Sequence, residues 1–407
     1  MRKIYLCVAA LYLGIVASHA QTKTSLVQDS SNYEARKLKI EEINIISAYY
    51  HQNGNNSAVT GGIGTEKLTD FANTFDLQLS KYSTSGKKHT FSFELGVDHY
   101  TSASSDKIDP NSVSSASRQD TRVYPSLNWT VSNDKTGNAF GLTGSYSHEF
   151  DYQSLGAGVN LTRVSEDKNT QFDFKGQVFL DTWKVILPVE LRPPGYGSGS
   201  HRDGGGDVAH SPRNSFSTSF SLSQVISTRL QALVIIEPSY QHGLLATKYQ
   251  RDYFTDGSER VENLPSSRYK LPIGVRFNYF LDDHFVIRTF YRYYMDNWGI
   301  RAHTAEVEIP IKLTPFVSVS PYFRYNNQQG TRYFAPYGDH NPTATYYTSD
   351  YDLSTLSSNF VGANIRLSPP AGVFGWEHFN SVEIRAGHYM RSTGLKSNIV
   401  TLAMKFK

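Results

Sequence analysis

From about residue 40 to its last residue, this chain is a succession of segments ten or more residues long in which apolar and polar side chains alternate. That feature restricts it to β-structure with one apolar face per strand. Leu271, Ile273, Val275, Phe277 and Tyr279 alternate with Lys270, Pro272, Gly274, Arg276 and Asn278. Residues 304–313 set Ala305, Val307, Ile309, Ile311 and Leu313 against Thr304, Glu306, Glu308, Pro310 and Lys312. Phe91, Phe93, Leu95 and Val97 stand in the same way against Ser92, Glu94, Gly96 and Asp98. A soluble sandwich shares the alternation, but its strands run to about five or six residues, whereas a bilayer-crossing strand needs about 9 to 11. These segments meet the longer requirement.

The pattern predicts strands near residues 40–51, 70–82, 88–101, 121–132, 138–149, 153–164, 169–185, 213–226, 228–242, 266–280, 284–295, 301–313, 315–326, 356–368, 378–391 and 397–407. About sixteen is an even number, as single-chain bacterial barrels have. Connections at 83–87, 132–138, 164–169, 226–228, 281–283 and 314 are tight, while 52–69, 102–120, 186–212, 243–265 and 327–355 are long. Short periplasmic turns and long extracellular loops are the arrangement of an all-β, up-and-down transmembrane antiparallel β-barrel. The last segment puts Val400, Leu402, Met404 and Phe406 on one face; Lys407 departs from an aromatic final residue.

The N-terminus supplies the route to a membrane. Arg2 and Lys3, an apolar stretch from Ile4 to Ala17, and Ser18-His19-Ala20 compose a signal peptide over residues 1–20. The apolar stretch is too short for a spanning helix, and mean hydropathy is −0.43, which excludes a helical inner-membrane protein. Residues 21–39 are polar without a strand pattern: a periplasmic tail, or a small plug entering the lumen. The only cysteine, Cys7, lies inside the leader, so neither a disulfide nor lipid attachment is expected. Removing Arg2 and Lys3 from 40 basic residues leaves 38 against 37 acidic, and this near-neutral balance argues against nucleic acid as a partner. The 27 tyrosines and 23 phenylalanines suit two aromatic girdles at the membrane interfaces.

The stretch from Ile43 to Asp70, INIISAYYHQNGNNSAVTGGIGTEKLTD, resembles the opening of a Bacteroidota outer-membrane barrel family catalogued as domain of unknown function 3570. Asp98 to Asp106 (DHYTSASSD) and Ser114 to Ser117 extend the resemblance, which covers almost the whole mature chain. It implies a barrel in the outer membrane, encoded beside a small lipoprotein and a flavin transferase. No flavin-attachment, haem or iron–sulfur signature is present, so no cofactor is expected.

Candidate sites are read against plainer alternatives. Thr60-Gly61-Gly62-Ile63-Gly64-Thr65 lacks the lysine and the strand-to-helix context of a phosphate loop, and reads as an extracellular turn folding back on the barrel mouth. His201, Asp203, Asp207 and His210 offer metal-ligand chemistry in a glycine-rich loop that fixes no geometry. Asp106, Asp109 and Asp120 lack EF-hand spacing. His99, His242 and His388 are the histidines a barrel-embedded lipid hydrolase would use, but no serine is paired with them by spacing, and no enzyme activity is expected. If the apolar face meets lipid, Arg276, Arg288, Arg292 and Arg324 face the lumen with Glu306 and Glu308. They are either a salt-bridged wall that stiffens the barrel or a charged constriction that selects solutes.

These readings favour a porin-like channel or transporter for small solutes or ions, with an N-terminal hatch for a hydrophobic substrate as a variant. An accessory barrel serving a periplasmic lipoprotein or redox system is a second class, and a lipid-modifying enzyme a third. The expected partners are outer-membrane lipids, the barrel-assembly machinery and, on the resemblance, a periplasmic lipoprotein.

Overall fold

The computed structural model describes residues 37–102, 119–194 and 209–407. The leader at 1–20, the tail as far as residue 36, and the loop residues Asp106, Asp109, His201, Asp203 and Asp207 lie outside the described residues.

The alternating segments form β1 (Lys39–Asn53), β2 (Leu68–Tyr82), β3 (Lys88–Thr101), β4 (Gln119–Ser132), β5 (Ala139–His148), β6 (Tyr152–Val164), β7 (Thr170–Lys184) and β8 (His210–Ser227). The second half comprises β9 (Leu230–Ile236, continued by Ser239–Gly243), β10 (Ser267–Phe280), β11 (Val286–Asp296) and β12 (Arg301–Glu308, continued by Ile311–Thr314). It ends with β13 (Val317–Gln329), β14 (Leu356–Leu367), β15 (Phe379–Arg391) and β16 (Lys396–Phe406). Each strand pairs antiparallel with the next, and β1 pairs with β16 from Ile43↔Phe406 to Asn53↔Lys396, closing the sheet. The result is a closed barrel of sixteen strands.

Two segments read as continuous are interrupted, each at a proline that has no N–H for the ladder. At Pro238 and Pro310 the neighbours still use the carbonyl: Thr218 N donates to Pro238 O at 3.0 Å, and Val286 N to Pro310 O at 3.1 Å. The strand therefore continues across each break.

Register assigns the faces, because directly paired residues on antiparallel strands point the same way. Leu127, Leu155, Phe216, Leu222, Phe323, Ile365 and Val400 are exposed and lie on one parity. Many of the buried strand positions are small and polar: Ser80, Ser147, Ser154, Ser320, Ser358 and Ser397 lie on the other parity. A soluble sheet buries its apolar face; this one wears it outside, all round, as lipid requires.

Both chain ends of the barrel lie at the rim of the short turns. Sorting by length is incomplete: 149–151, 297–300 and 392–395 at the loop end are short, and 368–378 at the turn end is long. That longer turn carries the buried Val373 and lays Trp376 against Phe406, which stacks on Phe379 with ring centres 4.7 Å apart. Lys407 N donates to His378 O at 2.9 Å, so the final strand is anchored despite its non-aromatic last residue.

Candidate functional site: the lumen and its loop cap

The six charged residues singled out from sequence occupy one face of β10 to β13. Arg288 pairs with Glu308 in register, Glu306 with Arg324, and Arg292 with Thr304, while Arg276 lies opposite Phe290, itself opposite Glu306. All share the parity of buried Tyr322 and Ser358 and oppose the outward Val307 and Phe323, so they face the lumen. Arg288 Nη1 lies 3.4 Å from Glu308, and Arg324 Nη2 lies 2.6 Å from Glu306, with both arginines half exposed to the interior. Arg276 instead lies over the Phe290 ring at 5.2 Å, and Arg292 forms no ion pair among the described residues. The wall thus combines two cross-strand salt bridges with two uncompensated positive charges, and Arg385 over the Tyr322 ring at 4.3 Å adds a third cation.

The wall beside it, from β6 to β9, is of another kind. Along β8 the inward positions are Ser211, Arg213, Ser215, Ser217, Ser219, Ser221 and Ser223, and their partners include Ser239, Gly243 and Gln241. Gly156 and Gly158 of β6 face the same way. Small hydroxyl and glycine positions leave room in the lumen along this wall.

Apart from Val373 in the turn after β14, the most deeply buried residues of the described chain lie not in the barrel wall but in the connections at its loop end. Sixteen strands spaced roughly 4.8 Å apart and tilted by about 40° enclose a cylinder about 30 Å across between backbones. The β1–β2 and β9–β10 connections stand eight strands apart on that ring, on opposite sides of the mouth. Yet Arg251, 5 % exposed, reaches from the β9–β10 loop to donate to Val59 O in the β1–β2 loop at 2.8 Å. The same guanidinium clasps Glu190 of the β7–β8 loop through Nε at 2.5 Å and Nη2 at 3.1 Å, and lies 3.5 Å from Glu259. Three loops therefore meet on one buried arginine above the lumen.

Packing supports that junction. Ala246, Leu264 and Trp298 form a small core with Leu244, Leu245, Tyr333 and Leu353 against it. Trp298 donates Nε1 to Ser267 O at 3.0 Å beneath the Arg268 guanidinium. A hairpin of Arg251–Tyr253 with Glu259–Val261 is bridged to the β13–β14 loop at Phe254↔His340 and Asn263↔Tyr347. Gly61 and Gly62 have φ of 78° and 85°, which side-chain-bearing residues rarely adopt. A Cβ on Gly61 would fall 2.6 Å from the Tyr253 ring, and one on Gly62 2.8 Å from Ser349 O, so these glycines let the first loop seat against the others.

Carboxylates are enclosed in the cap. Glu262 accepts from Thr348 Oγ1 at 2.6 Å and Thr247 N at 2.5 Å, with Lys248 Nζ on its carbonyl at 2.8 Å. Burial pushes its carboxyl up to about 8, against hydrogen bonds that pull it down. Burial and the neighbouring Asp352 raise Asp350 as well.

Sequence reasoning expected the turn at residues 60–65 to fold back on the barrel mouth but did not join the long loops into a cap; the signal available was their apolar content, Leu244-Leu245-Ala246, Phe254, Leu264 and Tyr346-Tyr347. It also passed over Ser349, His340 and Asp252, which cluster there. His340 Nε2 lies 2.9 Å from Ser349 Oγ and 3.5 Å from Asp252 Oδ1, so one ring nitrogen meets both partners, whereas a hydrolytic relay needs the two nitrogens separately. His99, His242 and His388 lie on the outer face near the loop end, with His99 paired to Thr121 Oγ1 and His388 to Asn398 Oδ1. His210 faces outward opposite Lys184, and Asp120 is buried, accepting from Thr121 N. No group of three or more His, Cys, Asp or Glu side chains among the described residues could hold a metal ion.

An outward apolar belt, a polar charged lumen and loops crossing one mouth define a transmembrane β-barrel. The chain belongs to the family described as "Protein of unknown function (DUF3570)", whose model matches residues 6–373. No curated protein matches it in sequence. Among solved structures it is similar to OccK9 (OpdG) of Pseudomonas aeruginosa, at 9 % identity and a TM-score of 0.42 over 91 % of this chain and 98 % of that one. OccAB3 of Acinetobacter baumannii is similar at 8 % identity and a TM-score of 0.40, covering 91 % and 99 %. The siderophore receptor PirA of Acinetobacter baumannii gives 11 % and 0.45, covering 87 % of this chain and 53 % of that one.

Proposed function

We propose that this protein is a gated outer-membrane channel that admits small polar solutes or ions when its loop cap opens. The observation that carries the reading is the Arg251–Val59 hydrogen bond, which joins loops from opposite sides of the ring over a hydrophilic lumen. A barrel of this strand number is wide enough for water, and the wall from Arg276 to Arg324 gives the passage a charged lining. The leader and the resemblance of its opening segment support export, with the turn end in the periplasm and the cap outside. Lipids solvate the apolar belt, and the reading assigns the chain no chemical step.

Single-channel recording in planar bilayers tests this. Wild-type protein should show a largely closed state with discrete openings. A permanently silent barrel, even after the cap is cut or unlatched, would overturn the reading.

A further inference from the structure

The inner wall from β4 to β10 carries a second constellation, distinct from the arginine–glutamate wall that adjoins it. Short side chains hollow it into a cavity of about 500 Å³, a size that holds a small organic ligand. Ser215, Ser217 and Ser239 offer hydroxyls that both donate and accept, and Phe179 and Tyr152 offer ring faces. Three cations line the cavity: Arg122, Arg213 and Lys270.

Their pairing separates them. Arg213 lies 3.5 Å from Asp181 and over the Trp183 and Tyr152 rings at 5.0 and 5.5 Å. Arg122 gives its Nε to Ser147 Oγ at 2.8 Å, not to an acid, and Lys270 forms no ion pair among the described residues. The lining carboxylates are Glu94 and Asp181, and Arg213 takes the second. Asp181, 4 % exposed, keeps its Oδ1 without a hydrogen-bond partner. An unmet acceptor suits a donating hydroxyl group, and two cations that form no ion pair among the described residues suit an anion.

We propose that this cavity binds an anionic polyhydroxylated solute, a sugar acid or sugar phosphate, with Arg122 and Lys270 holding the charged group and the serines and Asp181 the hydroxyls. This rests on the passage reading and names the solute class for it.

The test is calorimetric titration of the full-length protein in detergent with glucuronate, glucose 6-phosphate, glucose and acetate. Either or both anionic sugars should bind at least tenfold more tightly than glucose, which lacks the charge, and acetate, which lacks the hydroxyls. The stronger of the two identifies the anion. The double variant Arg122→Gln with Lys270→Gln should lose the preference tenfold or more while keeping the β-sheet circular dichroism of the wild type and still forming channels in bilayers, which shows that it has folded. Lys270→Arg alone should keep the preference. Equal binding of charged and neutral sugars, or an unchanged preference in the conducting double variant, overturns the inference and leaves the channel standing. Selective binding by a protein that never conducts, even with its cap unlatched, overturns the channel reading and leaves the site.

Discussion

Replacing Arg251 with alanine should unlatch the cap. In the closed protein this buried guanidinium makes two hydrogen bonds to Glu190, one to Val59 O, and lies within ion-pair distance of Glu259. Breaking a fully buried ion pair by removing one partner costs about 3–5 kcal/mol. Here the figure must be reduced, because the Glu190 side chain is 40 % exposed and water can solvate it once the arginine is gone. Val59 O loses its donor and Glu259 its counter-charge, each with less access to water. A loss of about 2–3 kcal/mol is the reasonable scale, which at 1.4 kcal/mol per tenfold moves the closed-to-open ratio roughly 30- to 150-fold. The assay is single-channel recording of wild-type, Arg251→Ala and Arg251→Lys proteins in planar bilayers. Alanine should raise open probability by that order, and lysine should fall between, since an ammonium cannot reproduce the two-pronged contact with Glu190. Identical open probability in wild type and Arg251→Ala would show that the loop junction does not control passage.

Three other outcomes are expected. Because burial lifts Glu262 to about 8 in the closed cap and an opened loop returns it toward the ordinary carboxylate range, closure binds a proton; open probability should therefore rise as pH increases from about 5 to 8, and Glu262→Gln should flatten that rise, whereas a falling curve would contradict the assignment. An arginine at outward-facing Val307 should cost about 2–4 kcal/mol near the bilayer midplane, while Ser221→Arg, inward and opposite Asp173, should cost far less; equal guanidinium unfolding midpoints in lipid vesicles would show the faces to be misassigned. Converting Arg288 and Arg292 to glutamine leaves Glu308 without its partner and removes one uncompensated cation, so reversal potentials under a salt gradient should shift toward cation selectivity; unchanged selectivity with failed assembly would make the wall a stiffening device only.

Local order is legible in the sequence alone. Alternation over ten or more residues determined strand, face and length together, because a pleated strand has a period of two and a bilayer has a fixed thickness. The pattern over 304–308 therefore put Glu306 and Glu308 on one face and Val307 on the other, and short turns between successive strands made neighbours in sequence neighbours in space. What alternation does not encode is whether Arg288 and Arg324 find a carboxylate while Arg292 does not, since that depends on side-chain reach across a ladder whose register is set by pairing. Nor does it encode the cap. Val59, Glu190 and Arg251 are separated by more than a hundred residues in places and carry no shared motif; only closure of the ring, which sets opposite loops over one mouth, brings them within hydrogen-bond distance. The proline interruptions at 238 and 310 lay between these cases, visible as residues but without consequence until the neighbouring strands were seen to hold the ladder together. Strand and face follow from local periodicity, which each segment carries by itself; latch, lumen pairing and cavity follow from closure, which no segment carries alone.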